Sequence, residues 1–219
     1  MQETVGLVSA TLAVAYNLLR NALRHDGVRW RYTCDRYVLN TYLYLLLGVL
    51  VTATGTLLMP VMPVLPSAAV QVALSFGLFS SRDVVTKHAL YLAFLMATAA
   101  TLTPLYRSHS VSMHNAFAAT LALFAFLVWT AHQMEDDMDD LHNSAAIGLW
   151  LLFLASMVPS HAVGVAVFSV FVLLDTRRVV ANSKKCGFRQ NNADYVNESM
   201  HLYLDALNLV LHLDANTPS

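Results

Sequence analysis

The stretch HLYLDALNLVLHL, residues 201–213, carries one carboxylate, Asp205, in the middle of an apolar segment. Most of these residues suit a helix that crosses a membrane. A charge at mid-bilayer costs at least about 2.5 kcal/mol on insertion scales, so its side chain should face a partner helix or a water-filled path rather than lipid. The carboxylate therefore marks the first place to look for function.

Polar side chains recur around Asp205 at alternating spacings of three and four residues. At 100° per residue they fall within an arc of about 80°, which makes a narrow polar stripe on an apolar helix. Three interpretations stay open: a hydrogen-bonded seam between helices, an ion or proton path, and a re-entrant segment that does not fully cross. The stripe consists of Glu198, His201, Asp205, Asn208 and His212.

A second carboxylate, Asp175, lies in the preceding apolar segment, VFVLLDTRRVV (170–180). At 1.5 Å per residue, Asp175 lies about 7.5 Å and Asp205 about 15 Å from the same membrane face, so neighbouring antiparallel helices with a modest tilt bring them together. Two close carboxylates in a low dielectric share one proton, which predicts a pH-sensitive latch for a cation path. The alternative is that Asp175 pairs with Arg178 at the interface.

The composition points to a membrane protein. Of the 219 residues, 57 % are hydrophobic and 12 % are charged, and the mean hydropathy is +0.52. Soluble domains average about 25 % charged residues, and a span needs roughly 20 apolar residues. The sequence therefore predicts an all-α membrane protein built as a seven-transmembrane helix bundle. The predicted spans are 37–59, 61–81, 88–106, 111–131, 141–158, 161–180 and 195–213.

The segments outside this bundle are short. The apolar run 5–19 has only 15 residues and is interpreted as a helix that lies in the interface or packs on the bundle, with a short eighth span as the alternative. The start of the chain lacks the positive region of a secretory signal peptide, so this run is expected to be retained. We divide the chain into a cytoplasmic or interfacial segment (1–36), the transmembrane domain (37–213) and a tail (214–219).

Basic residues give the predicted orientation. With seven spans, 12 of the 13 lysines and arginines fall on one side of the membrane, and the positive-inside rule makes that side cytoplasmic. The N-terminus is then cytoplasmic. Cys34 and Cys186 fall on the same side, where thiols are expected to stay reduced. The 12 residues are Arg20, Arg24, Arg29, Arg31, Arg36, Arg82, Lys87, Arg177, Arg178, Lys184, Lys185 and Arg189.

Other motifs carry less weight. The Asp35-Arg36-Tyr37 triplet precedes the first long span, whereas in seven-helix receptors it ends the third. The acidic run EDDMDD (135–140) lacks the ligand pattern of an EF-hand and is interpreted as a solvated loop, or as weak cation attraction near a pore mouth. No phosphate loop or catalytic triad is recognisable. We therefore expect neither an enzyme, a cofactor or a metal site, nor a nucleic-acid partner.

Two C-terminal segments resemble a known family. LLDTRRVV (173–180) and DYVNESMHLYLDALNLVLHL (194–213) resemble the C-terminal signature of the Bax inhibitor, or transmembrane Bax inhibitor motif, family. The second is most similar to the Golgi anti-apoptotic branch and its viral relatives. The resemblance extends more loosely over RYVLNTYLYLLLGVLVTATGT (36–56) and the spans after it, but not to residues before about position 29.

This resemblance implies a function. The family has seven helices, lets calcium leak from the endoplasmic reticulum or Golgi, and restrains apoptosis, and an aspartate pair on its last two helices forms the pH-sensitive gate. Asp175 and Asp205 match that pair. The resemblance thus implies a calcium-permeable leak channel of endomembranes, with calcium as the passing ion. Glu198, His201 and Asn208 are candidates for lining the path.

The chain also departs from the family. The third span, with AFLMATAATLTP (93–104), lacks a glutamate that relatives often carry, and the acidic pair before the last span is reduced to Asp194. Arg82 is the candidate for the family's basic latch. Such drift suits a captured viral copy, as in the cytomegalovirus seven-span set. The rival hypothesis is a non-conducting adaptor that binds host membrane proteins or apoptosis regulators.

Overall fold

The computed structural model describes residues 2–25, 30–108, 110–133, 161–186 and 193–215. The predicted span 141–158 and the acidic run 135–140 lie outside the described residues. Within them, the chain forms helices and one small β-hairpin. The elements are α1 (Gln2–Asn21), β1 (Leu23–His25), β2 (Trp30–Tyr32), α2 (Tyr37–Leu58), α3 (Val64–Ser80), α4 (Val84–Ser108), α5 (Ser110–Gln133), α6 (His161–Lys185) and α7 (Tyr195–Ala215).

The all-α class predicted from the sequence is confirmed. In the described residues, α2 and α4 are long and apolar enough to cross a membrane, while α3 is a shorter apolar helix. The full set of seven spans remains a prediction. Helix α6 continues five residues beyond the predicted end of its span, because polar residues such as Asn182 end an apolar run without breaking a helix.

Large apolar side chains point outward on several helices. Leu65 is 84 % exposed, Val111 is 75 % exposed and Phe76 is 71 % exposed. Soluble proteins rarely expose many such residues, whereas hydrocarbon is a good solvent for them. The outer faces of α3 and α5 therefore match a lipid environment.

The hairpin was not predicted from the sequence. Its strands pair antiparallel, with Leu23 opposite Tyr32 and Arg24 opposite Arg31. The backbone N–H of Thr33 donates to the carbonyl of Ala22 at 3.0 Å and closes the pair. Strands of three residues are too short to show an alternating pattern, so they cannot be detected from periodicity.

The chain divides into two compact units, which are described separately. Unit 1 contains Met1–Ser108 and Asn182–Met200, and unit 2 contains His109–Ala181 and His201–Ser219. In unit 1, α2 packs against α1 and α4, and α3 packs against α4. A Cβ atom added at Gly55 would lie 2.7 Å from the Cβ of Ala99, so glycine permits the close crossing of α2 and α4.

Unit 2 has its own apolar core. Leu127 of α5, Val172 of α6 and Leu209 of α7 form a buried cluster, and other apolar side chains of the same helices surround it. Val172 and Leu209 have no exposed surface. The surrounding residues are Leu123, Phe124, Val165, Phe168 and Leu173.

The expectation that both cysteines stay reduced is wrong for this structure. Cys34 and Cys186 form a disulfide with their Cα atoms 5.6 Å apart, across 152 positions of sequence. The two residues were expected on the same side of the membrane, but nothing in the sequence places them in contact. The basic residues predict that the side of the membrane with these cysteines faces the cytosol. The cytosol keeps thiols reduced, so the disulfide favours the opposite, non-cytosolic side.

The helix crossing at Gly55 predicts a difference between two glycines. Gly55→Ala should lower the melting temperature, because its Cβ would overlap that of Ala99, and Ala99→Gly should restore part of the loss. Gly77→Ala is the matched control, since its Cβ would meet only Leu90 atoms at 3.6 Å or more. Overpacking costs about 1–3 kcal/mol. Equal melting temperatures of the two alanine variants in detergent would contradict the close crossing.

The disulfide predicts protected thiols. A maleimide–polyethylene glycol reagent should label the denatured protein only after reduction, adding two tags, whereas Cys34→Ser should take up one tag without reduction. Opening this bridge should lower the free energy of unfolding by about 2–4 kcal/mol. Two tags on unreduced wild-type protein would show that the thiols are free.

Candidate functional site

Helices α6 and α7 bring the predicted carboxylates together. In unit 2 the Phe168 and His212 rings stack with their centroids 5.6 Å apart, and Asp175 hydrogen-bonds Asp205. Asp175 lies seven residues after Phe168 on α6, and Asp205 lies seven residues before His212 on α7. Antiparallel helices that pack together repeat their contacts at this spacing. Two aspartates 30 positions apart in sequence therefore meet because both helices keep the same repeat.

The hydrogen bond between the two aspartates requires a proton. Two ionised carboxylates offer only acceptors, so one member of the pair must be protonated to donate. Asp205 is only 8 % exposed, and its Oδ2 atom has no hydrogen-bond partner among the described residues. The pair can therefore share one proton, and it leaves one buried oxygen of Asp205 without a hydrogen-bond partner in the described part of the chain.

On one side the pair adjoins the apolar core of unit 2. Val172 lies three residues before Asp175 and Leu209 lies four residues after Asp205, so the core of unit 2 begins one turn away. Thr176, beside Asp175, is fully buried, and its hydroxyl has no partner in the described part of the chain. A low dielectric strengthens the shared hydrogen bond and also increases the cost of two negative charges.

His212 is held by packing against α6. A Cβ atom added at Gly164 would lie 2.5 Å from the His212 ring, so only glycine leaves room for the imidazole there. The ring also stacks on Phe168. This member of the polar stripe therefore packs against α6 through its ring, and the hydrogen-bonded seam stays a hypothesis.

The other predicted stripe residues have separate partners. Glu198 is buried and accepts a hydrogen bond from Nδ2 of Asn182 at 2.7 Å. Asn182 lies seven residues after Asp175, and Glu198 lies seven residues before Asp205. Asn208 donates to the carbonyl of its own helix at Leu204, over 2.9 Å. His201 is partly buried, and its imidazole interacts electrostatically with the positive charge of Arg178.

The first turn of α7 is anchored in unit 1 by tyrosines. Tyr195 is fully buried, and its hydroxyl donates to the carbonyl of Thr33. Its ring lies 5.1 Å from that of Tyr37 and 5.4 Å from that of Tyr32. Burial raises the pKa of Tyr32, so that phenol stays neutral. The hairpin and α2 together therefore fix where α7 begins.

A buried ion pair adds a second anchor that the sequence reasoning missed. Lys87 of α4 is buried and lies 2.5 Å from the carboxylate of Asp194, whose side chain is 33 % exposed. Arg82, the predicted latch, is exposed. Lys87 lies four residues before Tyr91, which is on the buried face of α4. Residues four apart share a helix face, so this spacing could have indicated that Lys87 is buried.

Comparison with known proteins identifies the family. The sequence profile described as "Inhibitor of apoptosis-promoting Bax1" matches residues 34–214, which is most of the chain. The chain belongs to this Bax1 inhibitor family. The match includes Asp175 and Asp205, as well as Lys87 and Asp194. Helix α1 and the hairpin precede it.

Viral relatives support the assignment over a shorter stretch. The Golgi anti-apoptotic proteins of vaccinia virus strains Lister and LC16m8 are each 29 % identical to this chain over 127 residues. The alignment covers 53 % of this chain and 50 % of each relative. The chain therefore spans about half the length of the curated relatives it matches.

The Lys87–Asp194 pair predicts an asymmetric effect on stability. Asp194→Asn should lower the free energy of unfolding by about 3 kcal/mol, because it leaves a buried ammonium without its counter-charge. Lys87→Met together with Asp194→Asn should recover most of that loss, since no charge then stays buried. Asp83→Asn, at an exposed helix cap on the same helix, is the control. A double variant less stable than Asp194→Asn, measured by thermal melting in detergent, would contradict a buried lysine charge.

Proposed function

We propose that this protein is a calcium-permeable leak channel of Golgi or related intracellular membranes, gated by protonation of Asp175 and Asp205. The single observation that supports the proposal is the hydrogen bond between the partly buried Asp175 and the buried Asp205. Membership of the Bax1 inhibitor family and similarity to proteins named Golgi anti-apoptotic add weight. By lowering stored calcium, the leak would restrain apoptosis.

The proposed gate works through one proton. While the proton is shared, Asp175 and Asp205 attract each other and hold α6 against α7. Loss of the proton leaves two carboxylates that repel each other in a low dielectric and that attract a divalent cation. Deprotonation therefore favours an open, negatively charged path, and acidification favours a closed one. Glu198, His201 and Asn208 are the proposed lining residues, and Arg82 is not needed for this step.

Calcium flux through the purified protein in dye-loaded liposomes tests the gate. The initial rate should be higher at pH 8 than at pH 5, falling by up to about tenfold per pH unit below the midpoint, because one proton is taken up. Asp175→Asn and Asp205→Asn keep the shape but remove the shared titration, so each should abolish the pH response. The double variant should add little, since a coupled pair titrates as a unit.

Two controls separate the gate from its neighbours. Asp214→Asn makes the same chemical change near the end of α7 and should leave the pH response intact. His201→Gln tests the histidine of the stripe nearest to Asp205, since histidines are the side chains that ordinarily titrate in the range of roughly pH 5 to 8. If only His201→Gln abolishes the response, the histidine is the sensor. Wild-type behaviour of both aspartate variants, correctly inserted, would leave the pair as a structural seam.

The second candidate function is a non-conducting adaptor of host membrane proteins. It is favoured by the third predicted span, within α4, where AFLMATAATLTP contains no carboxylate to continue an ion path. An adaptor should give no protein-dependent flux at any pH from about 5 to 8, a range that includes the histidine titration. It should also keep its cellular effect in Asp205→Asn, whereas a channel should lose pH control of that effect.

A further inference from the structure

Two neighbouring cavities in unit 1 have opposite chemical character. An open cavity of about 680 Å³ is lined by polar and basic residues, and a second of about 470 Å³ is almost wholly apolar. Both volumes fall within the range of about 300–1,000 Å³ typical of small-molecule sites. Leu23, the first residue of the hairpin, lines both cavities. The polar and apolar spaces therefore meet at one side chain, as a site for an amphiphile requires.

The first space, which we name the arginine cavity, has net positive charge. Arg20 from the last turn of α1, Arg24 from β1 and Arg36 from the start of α2 line it, and Asp35 is its one acidic side chain. Three cations and one anion leave a formal charge of +2. Arginine binds phosphate with two parallel hydrogen bonds, so this composition favours a phosphate group.

The hairpin register adds a second reason for an anion here. Arg24 stands directly opposite Arg31 across the two strands. Like charges directly opposite each other destabilise a strand pair, and a two-stranded sheet is only marginally stable by itself. A phosphate beside Arg24 would add negative charge to this positively charged part of the hairpin. Arg36, which also lines the arginine cavity, has a left-handed backbone conformation with φ of 52°. Residues other than glycine seldom adopt this conformation.

The second space, which we name the apolar cavity, lies among α1, α2 and α4. Leu18, Leu47 and Val51 contribute aliphatic walls, and Tyr44 and His88 place their hydrogen-bonded pair, 2.6 Å apart, on its lining. Because that polar pair is already satisfied, the cavity offers hydrocarbon contacts and little demand for hydrogen bonds. An acyl chain matches this surface.

We propose that unit 1 binds one anionic phospholipid. The arginine cavity holds its phosphate-bearing headgroup, one acyl chain fills the apolar cavity, and Leu23 lies between the two parts. The position suits such a ligand, because basic residues beside a membrane span attract anionic headgroups. The lipid would join α1 and the hairpin to α2 and α4, none of which contains the aspartate pair. The site is therefore independent of the proposed channel activity.

Native mass spectrometry of the delipidated full chain in detergent tests the headgroup arm. Phosphatidylserine has a net negative headgroup, whereas the choline of phosphatidylcholine neutralises the phosphate and is repelled by the arginines. Phosphatidylserine should therefore remain bound at least about tenfold more tightly than phosphatidylcholine of the same chain length, a factor equal to one good charged hydrogen bond. Arg24→Gln and Arg36→Gln should each remove about tenfold of the phosphatidylserine affinity. Lys185→Gln, which removes one exposed positive charge of unit 1 outside the cavity, should not. Equal binding of the two lipids, or arginine variants that match wild type, would overturn the proposal.

Chain length tests the apolar arm without any mutation. Affinity for phosphatidylserine should rise at least about tenfold between six-carbon and sixteen-carbon chains, because each buried CH₂ contributes to binding. Ala15→Trp, which fills the apolar cavity from α1, should remove that gain. Displacement of the long-chain lipid by millimolar inorganic phosphate, or affinity that is independent of chain length, would show a simple anion site and overturn the phospholipid assignment.

Discussion

A polar group removed from water must find its partner inside the protein, and the described part of this chain is organised by that constraint. Backbone groups meet it by forming helices, which is the usual solution in hydrocarbon. Side chains meet it in pairs: Lys87 with Asp194, Asn182 with Glu198, and Asp175 with Asp205. Each pair joins two helices or a helix and the turn before one. The constraint that fixes the secondary structure therefore also fixes which helices meet.

The three pairs differ in what a change of protonation would do. Lys87 and Asp194 carry opposite charges, and Glu198 accepts a bond from a neutral amide, so both contacts are satisfied at neutral pH. Of these three contacts, only the one between Asp175 and Asp205 depends on a proton that the two carboxyl groups share. A site whose attraction becomes repulsion on loss of one proton is suited to switching, while the other two are suited to anchoring.

The anchors are concentrated where α7 begins. Tyr195 lies among the tyrosines of the hairpin and α2, Asp194 pairs with Lys87, and Cys186 is joined to Cys34. All of these contacts belong to unit 1, whereas the aspartate pair belongs to unit 2. The contacts at the start of α7 and the contact between the aspartates therefore belong to different units of the structure.

The sequence alone determined the helical class and most helix positions, and it singled out Asp175 and Asp205 as candidates, because apolar length, helical periodicity and an isolated carboxylate are local signals. The seven-residue spacing between Phe168 and Asp175, and between Asp205 and His212, is also present in the sequence. Which residue of α6 faces which residue of α7 follows only from the structure. Tertiary structure alone decided that Cys34 meets Cys186, that Lys87 pairs with Asp194, and that three arginines line one cavity beside Leu23. These contacts join residues far apart in the chain, so they depend on how helices and the hairpin pack, and no local pattern of residues records that packing.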